Sequence, residues 1–444
     1  MIFLFALLFG ILMSFVDSSQ SSLIANVIIL FLSVLYSLRI PKIYKKEANQ
    51  YIAILYILYV GFAYITSLSF LGGHEFYVSD AADYIASFSK STDYVPDYNT
   101  LLLYYSQFEG KDALYKEILR CVCGYANVHL GGATVYYMTL VQTLFGLLCA
   151  VVLLQIMSRI YGRSGLKQAF LFSSCSLFLL YSSLIIRDII IAYCFIEAIG
   201  ILLDKFKLKN IFILLILCLI AMGIRMLSGA FLFSFLFLYV FLYFKKTNNK
   251  FLIVLFTLLG IIAISAFVST VFFEDSMSEI EQRGEHMSER VSESGGLMNT
   301  LLGLPMGIRQ IAIMLFSQMA PFPSYGTLLR AETFSQFLWG VDVFVYEIFW
   351  YIVFYTLLFF IIFKRAFSTF SMSEKYLFIL AMFFILVLTS HPDIRRMMPV
   401  YPILYILYVK IKREKPNKEI YNVRSYLMWG YAFLLVVYVS IKGF

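Results

Sequence analysis

Long apolar runs alternate with short polar breaks along almost the whole chain. The run 211–223 reads IFILLILCLIAMG, with no charged residue and no period-two alternation. Several such runs approach the ~20 residues that a helix needs to cross a bilayer. Because backbone polar groups in lipid need internal partners, continuous runs predict transmembrane helices rather than a barrel. The pattern predicts an all-α polytopic membrane protein with about thirteen spans in one domain, 1–444.

The start of the chain fits the same interpretation. Residues 1–15, MIFLFALLFGILMSF, lack the basic start and small-residue cleavage site of a signal peptide, so we expect the first span here. The composition is 61% hydrophobic and 14% charged, against about half and a quarter in soluble domains. The net charge of +8 is better explained by basic cytoplasmic loops than by nucleic-acid binding.

Basic residues concentrate in six short segments, which hold 22 of the 35 lysines and arginines and 5 of the 27 acids. These segments are 39–47, 159–167, 204–209, 245–250, 364–375 and 410–424. The positive-inside rule places all six in the cytoplasm. The N-terminus is then cytoplasmic, and two large loops, 72–132 and 273–340, lie outside the cytoplasm.

A few arginines depart from that rule, because they lie in connections predicted on the outer side. Short hairpins there contain Arg187, Arg225, Arg395 and Arg396, and the second large loop contains Arg309 and Arg330. One such arginine could simply reach a lipid phosphate. Several together favour a polyanionic ligand such as a pyrophosphate, because guanidinium groups bind phosphate bidentately and stay charged.

Candidate acid–base residues lie in the same outer regions. Asp80 and Asp83 share a face if their segment is helical, and a carboxylate there could act as general base or orient a sugar hydroxyl. Asp80 could instead cap the helix that follows it. His391 could accept a proton beside the arginine pair, or only cap a helix. The first loop is rich in tyrosines, which suit sugars but also suit a membrane interface.

Neither a metal nor a nucleotide is indicated. Cys121 and Cys123 are too close in sequence for an easy disulfide, and only His129 lies near them as a further metal ligand. No G-x4-G-K-[ST] motif occurs, so no ATP site is expected. We therefore expect a chain that works without cofactors.

Three short motifs carry a resemblance to a known family. They are SLIIRD (183–188) with Arg187, the turn PFPSY (321–325) with Tyr325, and RRMMPVYP (395–402). With the many spans and the tyrosine-rich acidic outer loop, they resemble the Wzy-type polysaccharide repeat-unit polymerases, which include the O-antigen polymerases. The resemblance covers most of the chain as architecture, whereas its motifs are short.

The resemblance implies a GT-C-like integral membrane glycosyltransferase of the bacterial inner membrane, active on the periplasmic or extracellular face. It implies that undecaprenyl-pyrophosphate-linked oligosaccharides, as in lipopolysaccharide O-antigen biosynthesis, are joined without metal or ATP. The growing glycan would pass to the non-reducing end of a new unit. The arginines and Tyr325 would bind substrate, and Asp80, Asp83 or His391 would serve the acceptor hydroxyl. Membrane lipids and a chain-length regulator are the expected partners.

Two other interpretations stay open. A different GT-C glycosyltransferase or an O-antigen ligase would use similar outer arginines. A lipid-linked oligosaccharide flippase would bury charge near the membrane midplane and often contain internal repeats. The chain shows no such repeat, and its charged hairpins and large loops share one side, which favours surface chemistry over transport.

Overall fold

The protein is helical wherever the structure describes it. The computed structural model describes residues 2–71, 79–107, 112–204, 206–246, 304–305, 308–319, 324–329, 331–388 and 394–442. Within those ranges the regular elements are helices, and no strand occurs. The all-α expectation is therefore confirmed for this part of the chain. The number of thirteen spans stays a prediction.

The helices of the first half, in chain order, are α1 (Ile2–Val16), α2 (Gln20–Ser37), α3 (Lys45–Leu71), α4 (Ser79–Phe88), α5 (Tyr98–Gln107), α6 (Ala113–His129), α7 (Val135–Cys175), α8 (Leu177–Ser182), α9 (Asp188–Leu202), α10 (Leu208–Ile224) and α11 (Met226–Lys246). Those of the second half are α12 (Ile308–Ser317), α13 (Tyr325–Leu329), α14 (Phe334–Phe363), α15 (Met372–Leu388), α16 (Ile394–Met397), α17 (Tyr401–Glu414) and α18 (Asn417–Lys442).

Six of these helices are long and apolar enough to cross a bilayer, namely α2, α3, α7, α11, α14 and α18. Their most apolar stretches have a mean hydropathy between 1.3 and 2.3. Helices α1, α10 and α12 are apolar but shorter. A polytopic helical membrane protein is thus supported by length and composition.

Helix α7 is not one continuous span. Gly162 interrupts it with φ +64° and ψ −142°, a backbone conformation that L side chains rarely adopt. Gly165 then lies against the carbonyl oxygen of Met157, so close that a β-carbon would collide with it. Residues eight apart in a straight helix are about 12 Å apart, so the chain reverses here. The reversal falls inside the segment 159–167, for which the sequence predicts a loop.

Ion pairs gather the basic segments at one end of the helix bundle. Arg39 pairs with Glu197 at 2.8 Å, and Arg163 pairs with Glu47 at 2.7 Å. Arg159 donates to the carbonyl oxygen of Arg39 at 3.1 Å. The segments 39–47 and 159–167 therefore meet beside the end of α9.

The later basic segments join the same end. Lys412 donates to Gln168 at 3.4 Å, beside the segment 159–167. Lys410 pairs with Glu374 at 2.6 Å, and Lys364 pairs with Glu419 at 2.7 Å. We call this end the basic pole. The segment 245–250 is not described beyond the backbone of α11.

Helix α14 brings polar side chains into the core on one face. Its start is fixed by a capping box, in which Thr333 and Gln336 each bond the backbone at the other residue. Ser335, Trp339 and Asp342 follow at helical spacing and are all buried. Trp339 donates to Thr66 of α3 at 3.4 Å, so this face of α14 packs against α3.

Glu347, on α14, joins two distant parts of the chain. Its carboxylate accepts a hydrogen bond from the backbone N–H of Ser324 at 3.0 Å and from the hydroxyl of Tyr431 at 2.8 Å. Ser324 precedes α13, and Tyr431 lies on α18, which is otherwise largely exposed. One buried carboxylate thus connects the chain just before α13 to the last helix.

Candidate functional site

Three helix connections end together at the pole opposite the basic one. Arg225 stands between α10 and α11 with an extended backbone, φ −154° and ψ 114°, so that neither helix can continue through it. Arg187 is the residue immediately before α9. Arg395 lies in the short helix α16. The three arginines therefore lie near one another in the fold, and their location on the outer side of a membrane stays a prediction.

Each of the three arginines forms an ion pair with an aspartate. Arg225 Nη1 lies 2.7 Å from Asp188 Oδ1, and Arg395 Nη1 lies 3.2 Å from Asp80 Oδ2.

Arg187 pairs with Asp112, just before α6. Electrostatic interactions also link Asp188 to all three arginines. We call the three arginines and their three aspartate partners the charged cluster.

The three pairs differ in their access to solvent. The Asp188 side chain is only 2% exposed, whereas that of Asp80 is 37% exposed. The three arginine side chains are between 15% and 17% exposed. The pair with Asp188 is therefore a buried core contact, and the pair with Asp80 is the one that a ligand from solution could separate most easily.

Helices α4, α5 and α6 cover the charged cluster as a cap. Tyr104 and Tyr105 of α5 donate to the carbonyl oxygens of Met222 and Leu219 in α10, at 2.7 and 2.9 Å. Tyr115 of α6 accepts from Gln142 of α7 at 2.9 Å. In the described part of segment 72–132, three helices are thus docked on the helix bundle.

Tyr84 connects the cap to the cluster. Its hydroxyl donates to Asp112 Oδ2 at 2.9 Å, while Oδ1 of the same carboxylate faces Arg187. Burial raises the pKa of Tyr84, although the nearby Arg187 guanidinium acts in the opposite direction. The tyrosine therefore stays a neutral hydrogen-bond donor at physiological pH, and it holds Asp112 in place.

The other predicted site residues are placed as follows. Arg396 is half-buried next to Arg395, and Asp83 is exposed on α4. Arg309 is half-buried in the first turn of α12, and Tyr325 is half-buried at the start of α13. His391 and Arg330 lie outside the described residues. Asp80 lies in the first turn of α4.

Asp112 is the site residue that sequence reasoning missed. An aspartate before the helical pattern ALYKEIL has the position of an N-cap, and that signal could have drawn attention to it. The structure gives it no capping bond and a left-handed backbone, with φ +65°. Its carboxylate instead pairs with Arg187 and accepts a hydrogen bond from Tyr84. Non-glycine residues held in this conformation occur often at functional sites.

The chemistry available at this pole is that of anion recognition and carboxylate bases. Guanidinium groups offer paired N–H donors to phosphate oxygens. Among the described residues, no three His, Cys, Asp or Glu side chains lie together as a metal site would require. No family model matches the chain, and no curated protein or solved structure shows significant similarity to it.

Proposed function

We propose that this chain is a membrane glycosyltransferase that polymerises undecaprenyl-pyrophosphate-linked oligosaccharide repeat units outside the cytoplasm. The observation that carries the proposal is the convergence of Arg187, Arg225 and Arg395 from three separate connections at the pole opposite the basic one. A lipid-linked pyrophosphate would approach from the membrane and present several anionic oxygens to the pole where the three arginines lie. Three guanidinium groups at one point match this ligand.

The aspartate partners define how the ligand would bind. Three arginines and three aspartates leave the charged cluster formally neutral, so a pyrophosphate must replace at least one carboxylate. Asp80 is the most exposed of the three aspartates, and its 3.2 Å pair with Arg395 is longer than the 2.7 Å pair of Asp188 with Arg225. The pyrophosphate would therefore take Arg395 and release Asp80 toward the acceptor.

The reaction then follows from these positions. An acceptor hydroxyl attacks the anomeric carbon of the growing glycan, and the bond from that carbon to the pyrophosphate oxygen breaks. The electron pair leaves with undecaprenyl pyrophosphate, whose charge the arginines stabilise. The hydroxyl proton passes to the released Asp80 carboxylate, which acts as general base. Arg396, next to Arg395, adds positive charge to the leaving-group side.

The proposal is tested by elongation of a matching undecaprenyl-pyrophosphate oligosaccharide in liposomes, with chelator present and without ATP. The wild type is expected to make a ladder of longer lipid-linked glycans. Arg395→Lys keeps the charge but loses the paired donors, so we expect a fall of about tenfold or more. Arg163→Ala, which removes one exposed arginine at the basic pole, is the matched control and should elongate normally.

Binding measurements separate this proposal from the alternatives. The wild type should bind undecaprenyl pyrophosphate more tightly than undecaprenyl monophosphate, and undecaprenol least. Equal affinity for the two phosphates would favour a transferase that uses monophosphate donors. Movement of labelled lipid across the bilayer without elongation would replace the polymerase proposal with a flippase.

A further inference from the structure

A second group of side chains lies at the C-terminal end of α6, far from the charged cluster, and includes one tyrosine from the segment before α5. The rings of Tyr94, Tyr125 and His129 contact one another, with centroids 6.2 Å apart for the tyrosine pair. His129 lies 5.1 Å from Tyr94 and 4.8 Å from Tyr125. Tyr94 is 42% exposed and Tyr125 is 49% exposed. We call these three residues the outer aromatic cluster.

The segment that carries Tyr94 has no helix of its own but is fixed tightly to α6. The Asn127 amide donates to the carbonyl oxygens of Ser89 and Ser91, at 2.9 and 2.6 Å. Gly124 lies directly under the backbone of Asp93, where any side chain would collide. The segment can approach α6 this closely only because position 124 is glycine.

Two charged residues of α6 hold the same segment further along. Arg120 donates to the carbonyl oxygen of Val95 at 2.6 Å. Glu117 accepts from the backbone N–H of Asp97 at 2.5 Å and pairs with Arg120 at 2.6 Å. The contacts along 89–97 therefore order an exposed segment, and the rings of the outer aromatic cluster are arranged before any ligand arrives.

Such an arrangement suits carbohydrate. Aromatic rings offer flat apolar faces with polar edges, and sugars present C–H faces rimmed by hydroxyls. The Asp93 carboxylate, next to Tyr94 in the chain, is 78% exposed and pairs with Arg120 at 3.5 Å, so it can accept hydrogen bonds from sugar hydroxyls. Rings ordered in advance lose little entropy on binding.

The position of the cluster relates it to the proposed reaction. Asp112 of the charged cluster and His129 stand at opposite ends of α6, whose 17 residues span about 25 Å. A glycan several sugars long can reach from one to the other, whereas a single sugar cannot.

We propose that the outer aromatic cluster is a carbohydrate subsite that holds the glycan several sugars away from the reacting end. This inference rests on the proposed function. It adds that product length depends on residues that take no part in bond formation. Loss of the rings should therefore shorten the products without slowing the first transfer.

The first experiment compares product lengths in the elongation assay. Tyr94→Ala and Tyr125→Ala are expected to perform the first transfer within about twofold of wild type but to release glycans several times shorter. Tyr98→Ala is the matched control, because Tyr98 is 72% exposed nearby but outside the cluster. Wild-type product lengths in both variants, or equal loss of the first transfer, would overturn the inference.

The second experiment needs no activity, so that the two proposals can fail separately. The full chain in detergent is applied to an array of bacterial surface polysaccharides and their repeat-unit oligosaccharides. Wild type and Tyr94→Phe should bind the same glycan, and Tyr94→Ala should bind it at least about fivefold more weakly. Equal binding by the alanine variant, or no glycan bound by wild type, would contradict a carbohydrate subsite. Loss of elongation with normal glycan binding would contradict only the proposal that the chain is a polymerase.

Discussion

Replacing Asp188 with asparagine tests how the charged cluster is held together. The change keeps the shape of the side chain but removes the carboxylate that pairs with Arg225 at 2.7 Å. Asp188 is 2% exposed and Arg225 is 15% exposed, so water cannot replace the lost carboxylate. The guanidinium is left buried with its charge uncompensated.

The expected magnitude follows from that burial. Removing one partner of a buried ion pair costs about 3–5 kcal/mol of unfolding free energy. The Asp80 side chain, at 37% exposed, belongs to a more solvated pair, and breaking such pairs costs about 0.2–1 kcal/mol. Asp188→Asn should therefore destabilise the protein several times more than Asp80→Asn.

The assay is reversible unfolding in mixed detergent micelles. It compares Asp188→Asn, Asp80→Asn and the double variant Asp188→Leu with Arg225→Met. The double variant removes both charges and fills their space with apolar atoms, which is often neutral or stabilising for a buried pair. We expect it to recover most of the stability that Asp188→Asn loses.

The reasoning would be refuted by either of two results. In the first, Asp188→Asn is no more destabilising than Asp80→Asn, which would mean that water reaches Arg225. In the second, the double variant loses at least as much stability as Asp188→Asn, which would mean that packing and not charge fixes this contact.

Three further predictions concern other parts of the chain. Gly162→Ala should lower the unfolding free energy by about 1–3 kcal/mol because φ is +64° there, whereas Gly326→Ala, with open space around it, should change it little. Asp342 forms no ion pair with any described residue, so Asp342→Asn should leave the unfolding free energy within about 1 kcal/mol of wild type or raise it. The hydrogen bond from Arg120 lowers the pKa of Glu117, although burial opposes this. The contact between the two side chains therefore stabilises the segment 93–97 fully at pH values above the ordinary pKa of a glutamate. This stabilisation is lost as the pH falls through the lowered pKa of Glu117. Amide hydrogen exchange in 93–97, corrected for its intrinsic rate, should therefore become faster in acid but not at neutral pH.

Much of the site could be predicted because its signals are local. Arg187 and Arg225 each stand in a short break between apolar runs, and a charged residue in such a break is confined to the end of a helix. The predicted loop at 159–167 likewise corresponds to the chain reversal at Gly162. In each case the determining residues lie within a few positions of one another.

The partners of these arginines depend on long-range packing and could not be predicted in the same way. Asp112 and Arg187 are 75 positions apart, and they meet because α6 packs on α10, which in turn packs on α9. The sequence predicts Asp80 as a candidate base because it is a carboxylate. Its partner Arg395 could not be predicted, because the two residues are 315 positions apart. Apolar periodicity predicts which face of a helix is buried and not which helix covers it.

The bond network of Glu347 has a consequence for how the protein is assembled in the membrane. During synthesis α14 enters the bilayer well before α18 has left the ribosome, and the Glu347 carboxylate then lacks the hydroxyl of Tyr431. A carboxylate in lipid without its partners is costly. The arrival of the last helix supplies the Tyr431 hydroxyl to one carboxylate oxygen, while the Ser324 N–H binds the other. A product truncated before α18 would therefore leave Glu347 without the Tyr431 hydroxyl, and we expect such a product to be less stable than the full chain.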